Sequence, residues 1–482
     1  MSRMTYDDAL DYLYSFVDYS LQRTYRYSPQ TFDLSRMRVL LELLGNPQEA
    51  YPVIHVAGTK GKGSVSALTA SALRAAGYQT GFYTSPHLVD FSERIQLNGH
   101  AIPHDRLSEL TEQIRPIVAK VPGLTTFEIT TAVAFMFFAS EKAEVAVIEV
   151  GLGGRLDATN VVQPLVSVIT SLSYDHTHLL GHTLAEIARE KAGIVKPGVP
   201  LVSAPQESEA LRVLKAIAEE RQSPFVLVGR DWLFAPLRHS LDGQSLTIWS
   251  AASQERVNEY LERNQPQQWE WVPPRFDIPL LGYHQVINAT VAYAALQVAN
   301  GRGLSVSEEA IREGFRSVDW PARFQILHRA PFVVADSAHN RDSARRLRTA
   351  LDDYFPARRV ILIFGASADK DINGILDELI PRVSLVFVTH AEHPRASETD
   401  DLVERIRARG CHAEAVVPVG QALARALENA SDEDVVLSAG SMFVSADVLR
   451  DWPQVWEREA QRRAARREER RVPLTTSDDD WA

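Results

Sequence analysis

Val53-Ile54-His55-Val56-Ala57-Gly58-Thr59-Lys60-Gly61-Lys62-Gly63-Ser64 decides the reading of this chain. Its first five residues are a short, mostly apolar run of the kind that forms a buried strand. The glycines that follow allow a tight turn, and Val65 to Ala76 continues as a helix. In such a turn backbone N–H groups can close around phosphate oxygens. The helix N-terminus adds its positive end, and Lys62 supplies a point charge for β- and γ-phosphates. The spacing departs from the usual phosphate-loop pattern: two residues rather than four separate Gly58 from Gly61, and Gly63 stands between Lys62 and Ser64. A glycine-rich strand-to-helix turn with no ligand is the competing account.

Outward from this turn the same alternation recurs. Apolar runs at Val53 to Ala57, Thr80 to Thr84, Val145 to Val150, Leu165 to Thr170 and Leu201 to Ala204 alternate with amphipathic stretches, which predicts parallel sheets with helical crossovers. Thr130 to Ser140 is apolar nearly all round and reads as a buried helix. From Trp232 to Pro274 the chain turns rich in Gln, Trp and Pro, with a hairpin turn at Asp242-Gly243, and suggests an antiparallel addition to the main sheet near 230–275. Trp320-Pro321 breaks the helix entering from Ser307 to Phe315 and marks a join. A second series follows, with strands at Phe332 to Asp336, Val360 to Gly365, Leu385 to Thr389, Ala415 to Val417 and Val435 to Ser438. The expected domains are therefore 1–318, 319–455 and a charged tail, 456–482. The Arg- and Glu-rich tail reads as a solvated helix followed by a disordered end.

The 482 residues exceed one compact core, and 45% hydrophobic with 23% charged residues is a globular balance. A net charge of −11 argues against general nucleic-acid binding. The single cysteine, Cys411, forbids an internal disulfide and fits a reducing cytoplasm. No apolar run suggests a signal peptide or a membrane span.

Other residues able to do chemistry sit at strand ends. Glu149 closes the run from Val145 and precedes Gly151-Leu152-Gly153-Gly154-Arg155-Leu156-Asp157, a place suited to holding a divalent cation, although such an acid also serves as a cap or an ion-pair partner. Asp175-His176-Thr177-His178 follows the next strand, at the edge where open α/β sheets bind ligands; hydrogen-bonded loop histidines are the alternative. Lys191, in Glu190-Lys191-Ala192-Gly193-Ile194, stands at a helix C-terminus, where a cation is welcome on dipole grounds alone. Asp336-Ser337-Ala338-His339-Asn340 ends a strand and begins a helix, with Arg323 near the join, and Asn340 could simply cap that helix. Their arrangement at successive sheet edges suggests a nucleotide held between two domains.

Taken together these stretches resemble the folylpolyglutamate synthase and dihydrofolate synthase family, the folate branch of the Mur-type ligases. The resemblance runs from about Asp7 to Leu449. It rests on His55 to Ser64, Ser85-Pro86-His87-Leu88, Glu149 to Asn160, Asp175-His176-Thr177 and Glu190 to Ile194. His284-Gln285 with Asn288-Ala289, Pro321-Ala322-Arg323-Phe324, and Asp336 to Asn340 complete it. It implies a Mur-ligase-like central α/β domain of the P-loop NTPase type and a Rossmann-like C-terminal α/β domain. It also implies a reaction in which ATP phosphorylates a folate or dihydropteroate carboxylate and the amine of L-glutamate attacks the acyl phosphate.

By position, Gly58, Thr59, Lys60, Gly61, Lys62, Gly63 and Ser64 would hold the triphosphate, with Asn288, Arg323, Asp336 and His339 contacting nucleotide. Ser85, Glu149, His176 and Lys191, the last as a carbamate, would bind two magnesium ions. Lys62, Lys191 and His176 would be catalytic, and Thr125, Phe127, Glu128 and Asp157 would line the pterin-bearing substrate. Expected partners are these small molecules alone, with no nucleic acid and no membrane, acting on a cytoplasmic monomer. The Trp-rich segment and the tail depart from the family pattern. The competing functions are a Mur-type ligase of another carboxylate, such as a cell-wall precursor, and a nucleotide-binding module without catalysis.

Overall fold

The computed structural model describes residues 4–18, 33–262 and 272–469. It divides into two units, Met1–Arg323 with Arg345–Tyr354, and Phe324–Ala344 with Phe355–Ala482.

The first unit is built on strands β1 (Val53–Ala57), β2 (Thr80–Tyr83), β3 (Ile95–Leu97), β4 (His100–Ala101), β5 (Val145–Glu149), β6 (Val166–Ile169), β7 (Leu201–Ser203) and β8 (Phe225–Leu227). They form one sheet in the order β4-β3-β2-β5-β1-β6-β7-β8. Pairing is parallel except at one edge, where β3 runs antiparallel to β2 and β4. β1 is central and has all five residues buried, which explains its continuous apolar reading. Helix Lys62–Ala75, with Tyr283–Asn300 and Glu308–Arg316, packs in one core cluster with β1 and β6. Helices His104–Val118 and Thr126–Ser140 share a second cluster with Ala146 and Ile148 of β5. The helix Thr126–Ser140 is buried on nearly every side, as its composition implies.

The Trp-rich segment corrects the expected addition to the main sheet. Strands β9 (Trp232–Ser240), β10 (Gly243–Ser250) and β11 (Arg275–Ile278) are antiparallel but form their own sheet, ordered β11-β10-β9. The reason is one-sided burial. Leu246 and Ile248 alternate with more exposed residues along β10, and with Phe276 and Ile278 they join the cluster containing helix Tyr283–Asn300. Pro236 in β9 offers no N–H, which an edge strand tolerates. Residues 263–271 of this segment lie outside the described residues.

In the second unit, β12 (Gln325–Arg329), β13 (Phe332–Ala335), β14 (Val360–Phe364), β15 (Leu385–Val388), β16 (His412–Ala415) and β17 (Val435–Ala439) form a sheet ordered β12-β13-β17-β14-β15-β16. Only β12 is antiparallel to its neighbour. β16 lies three residues before the expected Ala415 to Val417. It is an edge strand, so its sequence is not continuously apolar, and Pro418, which lacks an N–H, follows Val417. Helix Met442–Glu469 carries the charged stretch. Arg463 donates to the carbonyls of Leu427 at 2.6 Å and Ala430 at 2.8 Å and pairs with Glu459 at 2.9 Å. The expected disordered end after 469 lies outside the described residues.

Candidate active site

Register brings the first unit's strand ends together. Val56 lies beside Glu149 of β5, and Ala57 beside Ile169 of β6, so Thr170 flanks the start of the glycine turn. Gly58 and Gly61 have φ of 152° and 87°, and Gly61 is the N-cap of the helix. A β-carbon on Gly58 would collide with Thr170 Oγ1, and one on Gly61 with Asn288 Oδ1. The turn thus accepts only glycine at both places, and Asn288 is held there by donating to Gln285 Oε1 at 2.8 Å. The helix begins at Lys62, earlier than the expected Val65, so the amides of Lys62, Gly63 and Ser64 belong to its first turn and lack intrahelical acceptors.

Thr59 and Lys60 are arranged differently. Both backbone N–H groups donate to Ser171 O at 3.0 Å, and the Lys60 ammonium donates to Asp175 Oδ2 at 3.0 Å. Gly61 to Ser64 therefore supply the amides that open the helix, whereas Thr59 and Lys60 tie the turn to the loop after β6.

Glu149 is 5% exposed and accepts hydrogen bonds from Thr84 Oγ1 and the backbone of Ser85. Burial raises its carboxyl above the usual range, opposed by the positive charges of Lys62 and Arg323. Lys191, 5% exposed, donates from Nζ to Gly58 O at 2.9 Å. Its pKa is pulled down to about 7, first by burial and then by Lys62's charge. Its surroundings are set by close backbone packing: a β-carbon on Gly154 would lie 2.6 Å from Lys191 O, and Arg155 N donates to Glu190 O at 2.8 Å.

His176 adopts a left-handed backbone at φ 49°, and its N–H donates to Asp175 Oδ1 at 3.0 Å. Arg323 lies 5.7 Å from the Trp320 ring. That ring faces Gly63, where a β-carbon would be 2.6 Å away, and its buried Nε1 has no partner among the described residues. Trp320 and Thr84 are site residues that sequence reasoning missed. Thr84 adjoins Ser85 and could have been included with it, whereas Trp320 carries no local signal beyond its break before Pro321.

The residues expected around a pterin-bearing substrate adjoin one another. Phe127 lies over Gly151, 2.5 Å from where a β-carbon would be, and 6.1 Å from the Tyr83 ring. Thr125 and Glu128 form a capping box at the start of helix Thr126–Ser140, and Arg36 reaches Glu128 at 3.5 Å. Asp157 accepts from Leu152 N at 2.9 Å and Thr159 N at 3.0 Å, so its carboxylate shapes the glycine loop. Burial raises both carboxyls.

In the second unit, Asp336 accepts from Phe324 N and Ala338 N, each at 2.8 Å, and His339 Nδ1 bonds Ser337 O at 2.8 Å. Asn340 Oδ1 accepts from Ser343 N at 3.0 Å, the capping role weighed for it.

These donors suit a nucleotide and a divalent cation. Thr170 Oγ1 is buried without a partner beside Gly58, among the described residues. Glu149 offers a hard oxygen facing Lys62 and Arg323. No three His, Cys, Asp or Glu side chains converge as a ready metal cage among the described residues. A cation held here would depend on the Ser85 hydroxyl, a lysine carbamate, phosphate or water as well.

Residues 56–296 match the Mur ligase middle domain and residues 322–442 the Mur ligase glutamate ligase domain. Fold and site together define a Mur-type ligase. The chain is 35% identical over 378 residues to the dihydrofolate synthase/folylpolyglutamate synthase of Bacillus subtilis, covering 77% of this chain and 84% of that relative. It is 34% identical to the probable bifunctional folylpolyglutamate synthase/dihydropteroate synthase of Haloferax volcanii over 93% of its own length, spanning 51% of that relative. Among solved structures, Escherichia coli FolC in complex with DHPP and ADP superposes with a TM-score of 0.77 at 32% identity, covering 92% of this chain and 97% of that one. The chain belongs to the folylpolyglutamate synthase/dihydrofolate synthase family of Mur ligases. Among the described residues no helix is long and apolar enough to cross a membrane.

Proposed function

We propose that this protein is an ATP-dependent ligase that activates the carboxylate of a folate or of dihydropteroate as an acyl phosphate and joins it to the amine of L-glutamate. The observation that carries this is the glycine turn Gly58–Ser64 opening a helix at a sheet edge shared with Glu149 and Lys191. Family membership supplies the substrate class and disfavours a cell-wall precursor.

Lys62 and the first helix amides bind and orient the transferring phosphate, and concentrate positive potential where charge develops. Ser85, Glu149 and His176 would hold magnesium, which would neutralise phosphate charge when bound. Lys191, as its carbamate, would be the fourth contributor to two cation positions. A buried amine with a pKa near 7 is substantially neutral at physiological pH, the form that takes up carbon dioxide. Thr125, Phe127, Glu128 and Asp157 receive the pterin-bearing acceptor, and Asn288, Arg323, Asp336 and His339 contact nucleotide. The proposed division of labour gives ATP binding to residues 1–318 and glutamate ligation to 319–455, in a cytoplasmic monomer.

The test is turnover by purified protein with ATP, magnesium and L-glutamate, offering dihydropteroate and tetrahydrofolate as acceptors in parallel. Products one glutamate heavier, formed with equimolar ADP, are expected. Absence of product from both acceptors removes the reading, and the acceptor ratio reveals which activity dominates.

A further inference from the structure

The loop after β6 is fastened to the phosphate turn in graded steps. Thr59 N and Lys60 N donate to Ser171 O, and Thr59 Oγ1 donates to Ser173 O at 3.2 Å. Two residues further the fastening passes through a side chain: Lys60 Nζ donates to Asp175 Oδ2 at 3.0 Å, with the two side chains only 13% and 8% exposed. The other carboxylate oxygen, Oδ1, accepts the backbone N–H of His176 at 3.0 Å. Asp175 thus meets a lysine of the turn through Oδ2 and, through Oδ1, the amide of a residue held at φ 49°, whose ring Nε2 lies 3.9 Å from that oxygen. A left-handed backbone is uncommon for residues with a β-carbon, though histidine takes it more readily than most, and at His176 the bonds to Asp175, Leu179 and Leu180 hold it. His176 O in turn accepts from Leu179 N and Leu180 N at 2.9 Å, so this conformation also starts the helix Thr177–Leu180.

We propose that Lys60 and Asp175 are positioning residues: their ion pair sets the backbone of His176 relative to the phosphate turn, and Lys60 acts through Asp175 and not on phosphate. The inference deepens the ligase reading, on which it rests for His176's role. It separates three lysines that look alike in sequence. Lys62 opens the helix, Lys191 is anchored on Gly58 O, and Lys60 is committed to the loop. Because the pair is mostly buried, removing one partner leaves an uncompensated charge, whereas removing both is milder.

The experiment compares Lys60→Met, Asp175→Asn, the double variant and Lys60→Arg. Two quantities are read by calorimetry: ADP affinity without metal, and Mg2+ affinity of the ADP-loaded protein. Positioning predicts that each single change weakens Mg2+ binding about 10- to 100-fold, the usual effect of losing support behind a ligand. It also predicts that metal-free ADP affinity moves less than about threefold in Lys60→Met, on the premise that ligand-orienting groups are not phosphate contacts. The double variant should be no worse than the poorer single, and Lys60→Arg should recover part of the loss. A tenfold or larger fall in metal-free ADP affinity in Lys60→Met but not in Asp175→Asn, on the scale expected of a lost phosphate contact, overturns the proposal. Multiplying effects in the double variant do the same. Where a single variant fails to fold, Lys60→Arg and the double variant decide by the same two measurements. Wild-type protein that binds Mg2+ and ADP yet forms no glutamyl product defeats the ligase reading without touching the pair.

Discussion

His55 sits fully buried in the middle of β1, its Nε2 within 2.9 Å of Thr159 Oγ1 and its Nδ1 without a partner among the described residues. Burial, aided by the charge of Lys196, pushes its pKa down to about 3. Between pH 3 and 6.5 the unfolded chain therefore binds a proton that the folded one refuses. The contribution of His55 to stability rises with pH across that window and is lost as pH falls through it, by up to about 1.4 kcal/mol per pH unit, against the opposite slope of the buried carboxyls Glu128, Glu149 and Asp157. The pH slope of urea midpoints measured from pH 4 to 7 should be less positive in His55→Gln than in the wild-type chain; equal slopes assign acid lability elsewhere. Lys191 yields a second prediction at this scale. Lys191→Ala should lose turnover and regain part of it with added acetate or formate, since a small carboxylate can replace the charge of the proposed carbamate. A lysine serving only as a helix cap gives no such recovery.

Among the elements, the segment bearing Lys191 is placed by the backbone it touches. A β-carbon on Gly154 would lie 2.6 Å from Lys191 O and 2.9 Å from Glu190 O, contacts with main chain that cannot rotate away. Gly154→Ala should cost about 1–3 kcal/mol and lower turnover beyond that loss, because the shift moves Lys191 itself. Gly301→Ala, whose β-carbon would have its nearest neighbour 3.4 Å away, is the control expected to spare activity. Thermal unfolding with kcat on both variants checks this, and equal effects refute the placement argument. The legibility of the elements follows from the same physics. Fully buried parallel strands such as β1 and β5 announce themselves as apolar runs leading into glycine-rich turns, so the chemistry at their ends can be read directly. The hairpin β3–β4 turns at Asn98-Gly99, with φ of 52° and 82°, a dipeptide that favours such a turn. Edge strand β16 had no apolar run to find. Lys60 and Asp175 stand 115 residues apart, and local pattern says nothing about such a pairing.

Across the whole molecule the charge distribution is uneven: a chain of net charge −11 gathers Lys62 and Arg323 about Glu149, and sets Lys60 and Lys62 near Lys191. These cations, partly balanced by Glu149 and Asp175, attract phosphate anions, so nucleotide should report on them through global stability. A ligand bound only by the folded state at a hundred times its Kd stabilises by about 2.7 kcal/mol. ADP should therefore raise the unfolding midpoint of the wild-type chain by a corresponding amount, and the rise should shrink with salt. In Lys62→Ala most of the ADP-induced rise should disappear and turnover should fall by several powers of ten. Hydrogen exchange locates the effect, with added protection expected at 58–64, 149–157 and 171–176. A full ADP-induced rise in Lys62→Ala would mean that the helix amides hold the phosphates without that ammonium, and would move its role from binding to the transfer step alone.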